Sequence, residues 1–465
     1  MTALPKIPGL RRGPTPGPAV LALLFGSAGL VVLAAAMVEG LDQSALSAPK
    51  VFIAGLGLVC FCALALARYD TAVVVSVALT AVVVIEPAPC DAAFSVLMAI
   101  AAVTGRFRLS RAPRSAMLFV SALLAINVLS IMDSVSISTA FRFFFITAYL
   151  MAFSIWMCGY LDRPERVRAV VIAYLVVGVG SALLGVLAFN LPIPMRAQFL
   201  GDGGSRAQAL FKDPNVYGPF LVPIAVILLD QQVRPRLLRL RPMVGMALFG
   251  ILALGILFSF SRAAWANLAM ATAIMLVGSA ITRRGGGRAM RVLVGLVVIG
   301  AVVAAILGAT GSVGFLQHRA QIQSYDTQRF AAQHAGYELG WSHPVGVGPG
   351  QFQFHHNIES HSTYVRVLAE QGFGGLLAWL AILSTTLVLA LRNVVRGRDT
   401  YGIGPAALLG CWCGLIFNSA VVDTLHWRHL WLVAAMIWAG AMREARIPGL
   451  TTGAGAAARR RDTVR

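Results

Sequence analysis

The stretch HSTYVRVLAEQGFGG, residues 361–375, opens an apolar run that continues to about residue 391. A histidine is an unusual residue at a membrane edge. At 3.6 residues per turn, His361, Tyr364, Leu368, Gly372 and Gly375 fall on one stripe. That stripe is a polar head above a small-residue seam, and glycine at such spacing lets another membrane helix come close. Taken alone, the histidine is either a chemical group or an interfacial residue.

Outward from that stretch, the 465 residues are 58% hydrophobic and only 12% charged. Soluble domains carry about a quarter charged residues. Apolar runs of membrane length recur at 18–38, 51–67, 71–87, 91–105, 115–132, 138–160, 168–190, 215–230, 243–259, 262–282, 291–309, 363–391, 404–420 and 425–442. The runs lack barrel-type alternation, and backbone polar groups in a bilayer must be bonded internally. The fold expected is an all-α polytopic integral membrane protein of about 12–14 transmembrane helices. The run at 18–38 follows Lys6, Arg11 and Arg12 and reads as a retained signal-anchor.

The formal net charge is +19. Arginines gather in alternate loops: Arg106 to Arg114, Arg163 to Arg168, Arg234 to Arg241, Arg283 to Arg291, Arg392 to Arg398, and Arg459 to Arg461. That is the signature of cytoplasmic loops, so nucleic acid is not implied and both termini are expected in the cytoplasm. The same topology puts all eight histidines on the outer side. It leaves Lys50, Arg142, Arg196, Arg206, Lys212, Arg262, Arg319, Arg329, Arg366 and Arg428 outside the cytoplasmic set, each needing a local reason. The chain divides into N-terminal helices (1–200), a core (201–392) with a long outer loop at about 310–362, C-terminal helices (393–442) and a basic tail (443–465). The halves do not mirror each other, which weakens a transporter built from inverted repeats. The six cysteines read as small packing residues, since C-F-C and C-W-C are too close for a disulfide or zinc pattern.

Four stretches offer chemistry. In GDGGSRAQALFKDPNVYGPFL (201–221), Asp213, Pro214 and Asn215 suit a helix start, while Arg206 has the fork to grip a phosphate. In FSFSRAAWANL (258–268), Arg262 sits at the tip of an outer hairpin. In the long loop, Arg329 sits in a helical-looking segment and pairs with Glu338 or Asp326 or binds phosphate. The glycines of GVGPGQF (346–352) form a flexible turn that can cover a substrate. In VVDTLHWRHLW (421–431), Asp423, His426, Arg428 and His429 form either a mutually satisfied turn or a substrate rim. HHNIESH (355–361) lacks an HExxH arrangement, and no D-x-D pair is present to hold a diphosphate through a metal. Arginines with a histidine suit a diphosphate held without metal, with histidine as base.

These motifs resemble the O-antigen ligase and Wzy-type polysaccharide polymerase superfamily of bacterial inner membranes. The ligase signature is His, then Asn, Ser or Gln, nine residues, Gly, two residues, and Gly, Thr or Tyr. His361-Ser362, Gly372 and Gly375 fit it. KDPNVYG, FSRAAW and RFAAQHAGYELGWSHPVGVGPGQF resemble the preceding family blocks in order and spacing. The resemblance implies glycan transfer from an undecaprenyl-diphosphate donor to an acceptor, a glycan or the lipid-A core, on the periplasmic face of the inner membrane. It implies an inverting reaction without metal or other cofactor, with membrane lipid around the protein and a flippase and chain-length regulator as neighbours. By motif, His361 activates the acceptor hydroxyl, and Arg206 and Arg262 bind the diphosphate with help from Arg329. Asn215, Tyr364, Gly372, Gly375, Asp423, His426 and Arg428 are supporting residues. Ala266 stands where ligases often carry Leu, and the DTLHWRH turn looks more like exopolysaccharide polymerase relatives. A flippase for the same lipid-linked glycans is the competing reading.

Overall fold

The computed structural model describes residues 48–84, 87–281, 286–309 and 324–443, together with Gly314 and Gln321. The expected signal-anchor at 18–38, His318, Arg319 and the basic tail beyond Arg443 lie outside the described residues. Each other expected span contains a helix, although the one at 71–87 is helical only as far as Ala81. In chain order these are α1 (Ala48–Ala67), α2 (Tyr69–Ala78), α3 (Pro89–Val103), α4 (Arg114–Ser130), α5 (Ile137–Tyr160), α6 (Pro164–Asn190), α7 (Pro214–Val233), α8 (Pro242–Phe258), α9 (Arg262–Ile281) and α10 (Gly286–Ala309). The long loop before the third-last helix adds α11 (Ser324–Ser342) and the single turn α12 (Phe352–His355), followed by α13 (Thr363–Val395), α14 (Pro405–Val421) and α15 (Arg428–Met442). The protein is an all-α polytopic membrane protein. Among the described residues six helices are long and apolar enough to cross a bilayer, namely α4 with its 3-10 extension, α5, α6, α7, α9 and α13, and shorter apolar helices accompany them.

Local chemistry sets the helix starts. Helices α3, α6, α7, α8 and α14 each begin on proline, whose missing N–H costs nothing there. Asp213 caps α7, its carboxylate accepting from the Asn215 amide at 2.7 Å. The interior is organised around α7, which packs on α8, α9, α14 and α15, and 89% of its apolar window is buried. Indoles fill much of the remaining core, and three of them spend their N–H groups inside it. Trp412 donates to the Leu383 carbonyl at 3.1 Å, Trp431 to Leu425 at 2.8 Å and Trp438 to the Thr386 hydroxyl at 3.0 Å. The only named strands among the described residues are a two-residue ribbon, β1 (Leu200–Gly201) against β2 (Arg206–Ala207), antiparallel with Gly201 opposite Arg206.

The stripe expected from His361 to Gly375 is not continuous. His361 precedes α13 with φ +46°, and Ser362 is the extended residue before the helix. Gly372 then interrupts α13 with φ 66° and ψ −166°, a conformation only glycine takes readily. The close neighbour at that point is the loop backbone rather than another membrane helix: a Cβ on Gly372 would run into the Pro344 carbonyl. A Cβ on Gly375 would strike Gln371 of the same broken helix. The glycine turn after Pro344 differs from expectation as well. Residues 346–350 are buried, and they splice into the break as an extra layer of backbone bonding. Val347 donates to Ala369 at 3.0 Å, Gly348 to Glu370 at 2.9 Å and Phe373 to Pro344 at 3.1 Å. These bonds pair backbone groups that the interruption takes out of the helical ladder.

Candidate active site

Two adjoining cavities hold most of the expected site residues. The larger, about 390 Å³, is lined by Arg206, Asn215, Arg262 and Arg329, with Asp326, Phe330 and Val422 in its wall. Three segments far apart in sequence deliver the arginines: the β2 ribbon, the first residue of α9, and the first half of α11. Arg206 is nearly buried at 6% exposure. Its guanidinium donates to the Ser259 carbonyl at 2.8 Å, to Asp202 at 3.0 Å and to Asn215 at 2.8 Å, which fixes the fork. Arg262 donates to Asp326 at 2.6 Å and to the Gln321 carbonyl at 3.0 Å. Asp326 thus serves Arg262.

The smaller cavity, about 60 Å³, is lined by His361, Ser360, Glu359, Arg366, Glu370 and Asp423 with Phe143. It neighbours the arginine cavity: Val422 lines that one, the next residue, Asp423, lines this one, and the Arg329 charge acts on His361. His361 is half-buried, and its flanks are locked. The Ser362 hydroxyl donates to the Ser419 carbonyl at 3.5 Å, and the Thr424 amide donates to the Thr363 hydroxyl at 2.7 Å. Ser360, Ser362 and Thr363 are all buried. Anchored on both sides, the chain holds His361 in the left-handed region that an ordinary residue avoids. Asp202 and Phe260 beside the arginines share that feature, with φ of 48° and 47°. Strained backbone of this kind concentrates at functional sites.

Burial and neighbouring charge together favour the neutral form of His361. Burial pushes its pKa below the ordinary 6.5, and the Arg329 guanidinium pushes in the same direction, against Asp213 and Asp423. A neutral imidazole is the form that accepts a proton. Burial works to raise the Asp423 carboxyl, but the Arg366 charge overrides it and leaves Asp423 below the usual carboxylate range. His426 is driven down to about 3 by burial and then by Arg366, so it too is neutral at pH 7.

The remaining expected residues separate. His426 bonds the Thr147 hydroxyl at 3.0 Å and leans on the Phe143 ring, beside the histidine cavity. Arg428 leaves the turn altogether: it grips Asp91 of α3 with two bonds of 2.6 and 2.5 Å. The hydroxyl of Tyr364 ties α13 to α14 through the Ile416 carbonyl at 3.0 Å. Gly372 and Gly375 shape α13 below the site and line neither cavity. His355 and His356 do not assemble a metal site with His361; among the described residues no three His, Cys, Asp or Glu groups gather to hold an ion.

Sequence reasoning missed Glu370, which accepts from the Gly350 amide at 2.8 Å and from Arg366 at 3.2 Å, while Arg366 also pairs with Asp423. The signal was present. Arg366 and Glu370 stand one turn apart in an otherwise apolar span, the spacing of an intrahelical ion pair.

No curated protein matches the chain. Residues 247–380 match the family model described as O-Antigen ligase. The matched segment begins in α8 and takes in Arg262, Arg329, His361, Gly372 and Gly375, while Arg206 and Asn215 precede it. Over this segment, less than a third of the chain, the protein is thus similar to the O-antigen ligase family.

Proposed function

We propose that the protein is a membrane glycosyltransferase. It moves a glycan from an undecaprenyl-diphosphate donor to an acceptor hydroxyl on the periplasmic face of the bacterial inner membrane. The observation that carries this reading is the adjacency of two unlike cavities, one walled by three arginines and one holding a neutral histidine. In this mechanism the diphosphate sits among Arg206, Arg262 and Arg329, which neutralise it as it leaves. The acceptor oxygen attacks the anomeric carbon from the face opposite the diphosphate. The carbon–oxygen bond to diphosphate breaks with its electron pair going to the leaving oxygen, and His361 takes the hydroxyl proton. Configuration at the sugar carbon inverts. Asp423 and Arg366 act through the backbone that positions His361. The core at 201–392 carries the chemistry, and the flanking helices hold it in the bilayer.

The test is reconstitution in liposomes with a polyprenyl-diphosphate glycan and an acceptor. A new glycosidic bond with release of polyprenyl diphosphate is the expected result. Translocation of the donor with no new bond would favour a flippase instead.

A further inference from the structure

A second charged cavity lies at the opposite end of the molecule. Helix α5 joins the two ends. Its start is tied to the site loop, where Gln351 accepts from the Ser136 amide at 2.8 Å. Its last residue, Tyr160, lines the second cavity. At 1.5 Å per residue, α5 separates them by roughly 35 Å, about a membrane thickness. The cavity measures about 490 Å³ and is larger than the arginine cavity of the candidate site.

Its floor is aromatic. Trp156 donates to the Tyr69 hydroxyl at 3.0 Å and stacks on Tyr160 with centroids 5.7 Å apart. Its walls carry five arginines against two aspartates. Arg163 and Arg166 hold Asp70 at 3.0 and 3.1 Å, and Arg166 and Arg108 reach Asp162 at 3.1 and 4.0 Å. Both carboxylates are thereby engaged. Arg68 and Arg106 form no ion pair with an acid among the described residues, and Arg106 rests over the Tyr69 ring at 5.3 Å. Tyr160 is 5% exposed, and its buried hydroxyl lies beside the Asp70 carboxylate without completing a hydrogen bond of normal geometry. Loop arginines that only set topology need to lie on one side of the membrane. They need not converge over an aromatic floor with two of them, Arg68 and Arg106, left without a carboxylate partner among the described residues.

We propose that this cavity binds a phosphate-bearing anion, with Arg68 and Arg106 on the phosphate oxygens and the Tyr160 hydroxyl as a further donor. At a membrane edge the chemistry fits the headgroup of an anionic phospholipid, as basic pockets between membrane helices do. A soluble phosphate compound would use the same contacts. The site is separate from the candidate active site and does not depend on the glycosyltransferase reading.

Native mass spectrometry of the full chain in neutral detergent tests it, with phosphatidylglycerol, phosphatidylcholine or inorganic phosphate added. The variants are Arg68→Gln with Arg106→Gln, and Tyr160→Phe alone. The expected result is preferential binding of phosphatidylglycerol, weakened roughly tenfold in the double variant, the equivalent of one charge-assisted contact. Tyr160→Phe, which removes one oxygen and keeps the ring, weakens it too and decides the matter if the double variant misfolds. Competition by inorganic phosphate would support the site and assign it a soluble ligand. Equal binding of phosphatidylglycerol and phosphatidylcholine, or unchanged binding of both anions by Tyr160→Phe and the double variant, would overturn it.

Discussion

The amide of Phe373 donates to the carbonyl of Pro344 at 3.1 Å, across the break that Gly372 makes in helix α13. One contact thus joins the long loop to the membrane helix that follows His361. The loop carrying His361 hangs between this splice and the turn at 419–424.

Gly372→Ala is expected to damage the protein more than an ordinary helix substitution. The backbone there is one that only glycine reaches without strain, worth about 1–3 kcal/mol, and the added methyl meets the Pro344 carbonyl. A lower melting temperature in detergent, together with lost activity, is the expected outcome. A variant as stable as the parent would remove the splice from the account.

Glu370→Ala is expected to cost about 3–5 kcal/mol, the usual penalty for leaving one partner of a buried ion pair alone. Its carboxylate is 3% exposed and holds both Arg366 and the Gly350 amide. Denaturant melts of the two proteins measure the loss, and an unchanged midpoint would show that Arg366 finds other partners.

The rate should depend on pH through His361. The base must be neutral, and its pKa lies below 6.5. Activity is therefore present at neutral pH and falls on acidification only as pH drops through that lowered pKa. Removing the Arg329 charge in Arg329→Gln takes away one cause of the shift, so the acid limb moves up toward 6.5. Initial rates across the acid range decide this. An acid limb centred above 6.5 in the parent would contradict the environment described for His361.

Arg428 is expected to behave as a structural clasp. Arg428→Met leaves Asp91 buried without its partner and should destabilise the protein, while Arg428→Met with Asp91→Leu should recover much of the loss. Donor KM is expected to hold in whatever fraction remains folded. A raised KM in the stable double variant would return Arg428 to the substrate rim.

Membrane architecture was legible in the sequence because bilayer physics leaves few options: apolar runs and alternating arginine loops set the helices one by one. Residues such as Asp213 were readable for the same local reason, a carboxylate followed by Pro at a helix start. What lay beyond reach was pairing across the chain. Arg428 looked like a neighbour of Asp423 and His426, yet it faces Asp91, 337 positions away in sequence. The glycines at 346–350 read as a flexible cover, and only the break at Gly372, itself hidden inside an apolar run, gives them a place to dock. Arg206 and Arg262 each carried a visible charge at an expected outer edge. Their convergence on one cavity with Arg329 depends on tertiary packing that no local pattern encodes.

The most direct test of the central claim is the single-turnover rate of His361→Ala in proteoliposomes, measured beside donor binding. With His361 as the base, the rate falls roughly 10²–10⁴-fold, the usual worth of a general base, while Arg206, Arg262 and Arg329 maintain donor affinity. A His361→Ala protein that transfers glycan at the parent rate would contradict the claim.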